Sequence, residues 1–124
     1  MRNLKPQLRT AVQRAAEAAK SSGQEQFWLT SGWRSVSYQQ ELLDAAVSTH
    51  GSREEAAKWV SAPEKSKHVT GEAIDIGPTN AADWVNRHSD ALGLCQTYAN
   101  EMWHFEFRPE GTSHCPAPLE NAAG

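Results

Sequence analysis

Cysteine is scarce in this 124-residue chain: only Cys95 and Cys115 occur, about 20 positions apart. That is too far for a metal knuckle, so cysteine offers no compact ligand pair. Long apolar runs are missing too. No stretch approaches the roughly 18 apolar residues of a membrane span, and the N-terminus lacks the charged-then-apolar layout of a signal peptide. Lysine and arginine are unclustered, and the net charge is -3. A nucleic-acid partner needs a concentrated positive face, so DNA and RNA binding are excluded. Internal repeats, low-complexity tracts and linkers are absent. Residues 1–124 therefore read as a single domain, taken as monomeric, with residues 116–124, from Pro116-Ala117-Pro118 onward, as a loose tail. A chain of this length buries roughly two thirds of its unfolded surface, enough for one core. Tryptophan is in surplus: five are present and are expected to enrich that core.

Against this background two stretches stand out, Ser66-Lys67-His68-Val69-Thr70-Gly71-Glu72-Ala73-Ile74-Asp75 and Glu101-Met102-Trp103-His104. A catalytic zinc usually takes three protein ligands from His, Asp or Glu and leaves a fourth position for water, whose pKa it lowers toward neutrality. His68, Asp75 and His104 supply that set, and Glu101 supplies a general base. Gly71 and Ala73 let the chain turn after His68 and enter an extended segment, Ala73-Ile74-Asp75-Ile76. Alternation then sends Ile74 and Ile76 to the core while Ala73 and Asp75 face a cleft. Trp103, Phe105 and Phe107 alternate in the same way with His104 and Glu106 in a β-prone run, so His104 points away from the aromatic face. Glu101 falls before the regular strand, where a bend carries its carboxylate toward water instead of the metal.

The remaining elements follow from periodicity and punctuation. Leu4, Leu8, Val12, Ala15 and Ala19 recur at helical spacing up to a stop at Ser22-Gly23. Gln26 to Thr30 reads as a strand. Ser37 with Gln40 forms a capping box for a second helix through Leu42, Leu43, Ala46 and Val47 to Gly51, and Ser52 with Glu55 opens a third through Ala56, Ala57 and Trp59, ending near Pro63. A polar loop, Glu64 to Lys67, delivers Ser66 and His68, so the first motif begins on a loop and ends on a strand. After the turn at Gly77-Pro78 comes a helix carrying Ala82, Trp84 and Val85, then a hairpin from Leu94 to Phe107. The sum is an α+β fold: a small antiparallel sheet at the metal, flanked by about four helices.

Other residues have plainer readings. His50 precedes a helix stop and His88 falls near another helix end, where a cation is favoured. His114 beside Cys115 has no complementary ligand set for a second metal. Asp83, Glu106 and Glu110 read as solvated or supporting charges. Trp59 is expected in the core, and Trp33 either in the core or along a peptide groove. Cys95 and Cys115 read either as a disulfide, which implies an extracytoplasmic protein, or as two buried thiols of a cytosolic one.

The two motifs resemble those of the VanY-type zinc D-alanyl-D-alanine carboxypeptidases, which pair Ser-x-His-x-x-Gly-x-Ala-x-Asp with Glu-x-Trp-His; every one of those positions matches. Ser31-Gly32-Trp33-Arg34-Ser35 with Gln39 is similar to the family's Ser-Gly-Tyr-Arg-Ser segment, with Trp33 in place of tyrosine. The likeness takes in Gly93-Leu94-Cys95-Gln96-Thr97-Tyr98-Ala99-Asn100 and runs from residue 27 to 108. Met102 departs from it, standing where many relatives have proline. The resemblance implies a hedgehog/D,D-peptidase-like fold, one zinc ion per chain, and a cell-envelope location with peptidoglycan stem peptides as substrate. It further implies that Arg34, Gln39 and Ser66 hold the substrate carboxylate or polarise the scissile carbonyl. Trp103 is expected to border the substrate and to fix the direction of His104. Loss of one D-alanine from a pentapeptide is the expected reaction. A D,D-dipeptidase, an L,D-carboxypeptidase, an endopeptidase or a non-catalytic zinc-containing wall-binding module are the alternatives.

Overall fold

Leu8, Val12, Ala15 and Ala19 share one face of a helix, and the computed structural model, which describes residues 2–123, buries all four on α1 (Pro6–Ser21). Proline in its first turn fits a position whose N–H has no intrahelical partner. That face packs on a sheet of four short strands, β1 (Trp28–Ser31), β2 (Ala73–Gly77), β3 (Leu94–Gln96) and β4 (His104–Phe107), ordered β1-β2-β4-β3 and antiparallel throughout. The register pairs Ile74 with Phe105 and Asp75 with His104. Directly opposed residues share a face, so one pair enters the core and the other the opposite side. Ile74, Ile76 and Phe105, each at most 1% exposed, meet α1 and α5 (Thr79–Arg87).

A second, smaller core holds α2 (Val36–His50) against α3 (Arg53–Ala57) through Leu43, Ala46 and Ala56. The capping of α2 differs from the expected box. Ser35, in extended conformation, accepts the Tyr38 N–H at 3.1 Å, and the Gln40 amide donates forward to Asp44. The helix thus starts at Val36, before Ser37. Ser52 caps α3 through the Glu55 N–H as expected, but the helix ends at Ala57. Two one-turn helices, α4 (Lys67–Thr70) and α6 (Ser89–Leu92), bring the total to six among the described residues.

The placement of His68 is a correction, since α4 carries it in place of a loop. Gly71 ends that turn at φ 80°, a left-handed conformation that glycine adopts without strain. A Cβ there would also collide with the backbone carbonyl of Asn3, and the Lys5 N–H donates to the Gly71 carbonyl at 2.9 Å.

The tryptophans are a second correction. Trp84 is 8% exposed, but Trp28, Trp33, Trp59 and Trp103 are 38–49% exposed. The helix faces toward the sheet are built largely of alanine (Ala11, Ala15, Ala19, Ala81, Ala82), which brings the backbones close and leaves little room for indoles.

Cys95 and Cys115 are joined in a disulfide. Closing a loop of this length stabilises the fold by roughly 3 kcal/mol. Residues 116–123, read from the sequence as a loose tail, lie along the chain near Tyr98: Leu119 N–H donates to Thr97 O at 2.8 Å and Ala99 N–H to Leu119 O at 2.7 Å. No helix among the described residues is long and apolar enough to cross a membrane.

Candidate metal centre

The side of the sheet opposite α1 opens into a cleft of about 310 Å³ whose lining includes Arg34, Ser66, His68, Asp75, Glu101, Trp103 and His104. Three elements bring the expected ligands together. β2 places Asp75 beside its partner His104 on β4, and α4 turns His68 toward both. One donor atom from each of the three lies within 4.8 Å of the others, and all three residues are buried.

The hydrogen bonds determine which atoms are free. His68 Nδ1–H donates to Gly32 O at 2.9 Å, leaving Nε2 as the lone-pair nitrogen, 3.2 Å from Asp75 Oδ1. His104 Nε2–H donates to Glu106 Oε2 at 2.8 Å, leaving Nδ1, 3.6 Å from the same oxygen. Arg34 Nη2 donates to Asp75 Oδ2 at 3.1 Å, while Oδ1 is buried without a hydrogen bond. Each side chain is therefore held by its outer atom and turns one atom inward, on His104 a nitrogen whose proton a metal would displace, the pattern by which outer partners fix metal ligands. Two imidazoles and a carboxylate, with a buried orphan oxygen between them, fit zinc.

Charge in the cleft follows the same layout. Burial alone would raise Asp75, but polar contact with His104 and His68, and their charge, holds it down at about 2. Burial alone would lower His104, yet Asp75 and Glu106 outweigh it and raise the imidazole to about 9. Glu101 goes the other way: burial pushes it up to about 7, with His104 and Arg34 pulling down and Asp75 and Glu106 pushing up. Its Oε2 is buried without a hydrogen bond, and its backbone carbonyl accepts His104 N–H at 3.2 Å, closing a turn across Met102 and Trp103. A carboxylate poised near neutrality and free of partners can take and return a proton.

Arg34 is braced on three sides, donating to Ser31 Oγ at 2.9 Å and Gln39 Oε1 at 3.0 Å as well as to Asp75. Gln39, 1% exposed, also donates from Nε2 to Ser61 O at 2.7 Å. Both ends of its amide are thus engaged inside the protein, although Gln39 also lines the cleft beside Arg34. Ser66 is buried at the start of α4, and its hydroxyl caps no backbone N–H there. Trp103 stands at the rim, 38% exposed, and not beneath the site. Trp59, expected in the core, is 42% exposed on the cleft wall and stacks on His50 at 6.0 Å. Trp33 also stays at the surface, its indole N–H donating to Val69 O at 3.0 Å.

Tyr98, a cleft residue, escaped the sequence reading of the site. It packs its ring 4.9 Å from that of His104, and burial, then the charges of Glu106 and Glu101, raises its phenol. Glu106, read as a solvated or supporting charge, takes the supporting place: it accepts from His104 on the face that strand alternation gives them both. His114 pairs with Asp90 at 2.9 Å on the surface, and His88 Nδ1 lies 2.7 Å from Trp84 O at a helix end.

The model of the VanY family, described as D-alanyl-D-alanine carboxypeptidase, matches residues 1–110. A D-alanyl-D-alanine carboxypeptidase of Enterococcus faecalis is 26% identical over 104 residues, covering 64% of this chain. The chain spans only 39% of that relative's length. Among solved structures, VanYB in complex with D-alanine-D-alanine superposes with a TM-score of 0.77 at 23% identity, over 84% of this chain and 71% of that one. The LdcB LD-carboxypeptidase does so with a TM-score of 0.73 at 25% identity, over 89% and 61%. A VanY D,D-pentapeptidase mutant solved with Zn(II) gives 0.76 at 23% identity, over 84% and 72%.

Proposed function

The chain belongs to the VanY family of D-alanyl-D-alanine carboxypeptidases, and from that premise we propose that it is a zinc peptidase removing the terminal D-alanine from peptidoglycan stem peptides. The observation that carries this reading is the convergence of three potential donor atoms, His68 Nε2, His104 Nδ1 and Asp75 Oδ1, beside Glu101, whose Oε2 is buried without a hydrogen bond. When bound, zinc supplies a Lewis acid that polarises a carbonyl and makes water acidic near neutral pH.

The chain's own residues do the rest. Glu101 takes a proton from the attacking water and delivers it to the departing amine of D-alanine. Arg34 keeps guanidinium N–H groups beyond its three braces and holds the substrate carboxylate or the developing oxyanion. Gln39 acts by fixing Arg34, and Ser66 offers its hydroxyl to the peptide. Trp103, with Trp59 and Tyr98 across the cleft, excludes water and lines the stem. The substrate lies in the cell envelope, so an extracytoplasmic location is proposed, in keeping with the disulfide; a cytoplasmic one is the alternative.

A second reading keeps the chemistry and changes the bond, because the fold is shared with the LdcB LD-carboxypeptidase. The test is mass spectrometry of stem peptides ending as pentapeptide, tetrapeptide or free D-Ala-D-Ala, incubated with zinc-loaded protein and with Glu101→Ala. Loss of one D-alanine from the pentapeptide, absent in the variant, is the expected result. Cleavage of the tetrapeptide alone would transfer the assignment to an L,D-carboxypeptidase. Intact zinc loading with no cleavage of any of these peptides would overturn the carboxypeptidase reading in favour of an endopeptidase or a non-catalytic wall-binding module.

A further inference from the structure

The turn that ends in Glu101 is tied down from outside the ligand set. Its approach, Thr97 to Ala99, pairs with Leu119 through two backbone hydrogen bonds of 2.8 and 2.7 Å. Four residues before Leu119 the chain is fastened to β3 by the Cys95–Cys115 disulfide. Three residues after it, Ala122 N–H donates to Lys58 O at 3.2 Å, and the same carbonyl accepts Asn100 Nδ2 at 3.0 Å. Lys58 adjoins Trp59 on the cleft wall, and Asn100 adjoins Glu101. One segment therefore clamps the proposed base and the aromatic wall together. His68, Asp75 and His104 sit on α4, β2 and β4, which the sheet ladder holds without it.

We propose that residues 115–122 are a disulfide-anchored strap that positions Glu101, so that turnover requires Cys95–Cys115 to be oxidised while metal binding does not. The inference rests on the reading of Glu101 as the base. Cys95 is 5% exposed, whereas Cys115 is only half-buried, so a dithiol reductant reaches Cys115 first. Its thiolate bonds to the Cys115 sulfur, and Cys95 leaves as a thiolate and is protonated. The reductant's second thiol then displaces Cys115 and closes its own disulfide, two electrons and two protons having passed to the protein. Without the anchor, the strap keeps only its backbone hydrogen bonds against the entropy of a free chain end. The enzyme is then latent wherever thiols are kept reduced.

The test compares full-length zinc-loaded wild type with Cys115→Ser and with Leu119→Pro, which deletes the N–H bonded to Thr97 but leaves the disulfide. Amide hydrogen exchange at Ala99 and Glu101 should quicken at least about ten-fold in both variants, with β2 amides and one zinc per chain retained. The turnover number on pentapeptide should fall about ten-fold or more. Unchanged exchange at Ala99 and Glu101 in either variant overturns the strap, as does equal acceleration at Ile74, which pairs with Phe105 inside the ladder. If Cys115→Ser does not fold, reduction of wild type by a phosphine provides the same comparison. The exchange data decide the matter even if wild type cleaves no peptide, an outcome that sinks the proposed activity separately.

Discussion

Replacing Glu101 by glutamine should stabilise the metal-free protein while abolishing its turnover. The carboxyl is raised from 4.5 to about 7, chiefly by burial, so folding discourages its ionisation. A group whose folded pKa lies above its unfolded value adds nothing unfavourable below the unfolded value. Its cost appears as pH rises through 4.5 and is complete once pH passes about 7. The shift corresponds to about 3 kcal/mol at full strength, and the open cleft beside the carboxylate reduces this to about 2 kcal/mol. Glutamine keeps the shape and removes the charge. Urea unfolding of chelator-treated protein at pH 8 should therefore show Glu101→Gln more stable by about 2 kcal/mol, and at pH 4 no more stable than wild type. Zinc should narrow the gap at pH 8, because a nearby cation favours the carboxylate. Turnover of the zinc-loaded variant should fall about 100- to 10,000-fold. Equal gains at pH 4 and pH 8 would show that the substitution acts through packing or hydrogen bonding, and the electrostatic account of Glu101 would fail.

Glu106→Ala removes the acceptor that fixes the His104 tautomer and should weaken zinc binding about 10- to 100-fold in a competition titration against a chromophoric chelator. Asp75→Asn should lose measurable zinc binding. In the metal-free state it should also lose about 2 kcal/mol at neutral pH, because the carboxyl is held at about 2; that contribution exists above 3.8 and vanishes as pH falls through 2, so unfolding curves at both ends of the range check it. Met102→Pro places proline at the second position of the turn closed by His104 N–H and Glu101 O, where its fixed φ is favoured. A gain of about 0.5 kcal/mol by thermal unfolding is expected, and a loss would show that the turn is not of that type.

The convergence of His68, Asp75 and His104 was legible because each sits on a short element whose direction local rules determine. Alternation sent Asp75 and Ile74 to opposite faces, and the antiparallel register then set Asp75 opposite His104. The disulfide was legible only as one of two readings. What stayed hidden depended on distances between elements. The tryptophans were expected inside, but alanine-lined helices bring the core too close for them, which no periodicity reveals. Ser37 with Gln40 fits the capping-box pattern on paper, but it is Ser35, in extended conformation, that caps the helix. Tyr98 and Trp59 become cleft walls through contacts between segments far apart in sequence, the Lys58 carbonyl accepting from both Asn100 Nδ2 and Ala122 N–H.

Hydrogen bonding separates the rigid part of the site from the reactive part. Among the described residues, three buried side-chain atoms lack any hydrogen bond: Asp75 Oδ1, Glu101 Oε2 and Asn100 Oδ1. Leaving such an atom unpaired costs about 1–3 kcal/mol, so a fold selected for stability alone would scatter or avoid them. Here two of them face one cleft and the third belongs to the neighbour of Glu101. Meanwhile the outer atoms of His68, His104 and Asp75 are all bonded, to Gly32, Glu106 and Arg34. A mere ion-pair network would close on itself and satisfy its inner oxygens as well. Two of the three orphans thus border the candidate ligands, the placement that the proposed metal and proton transfer would use.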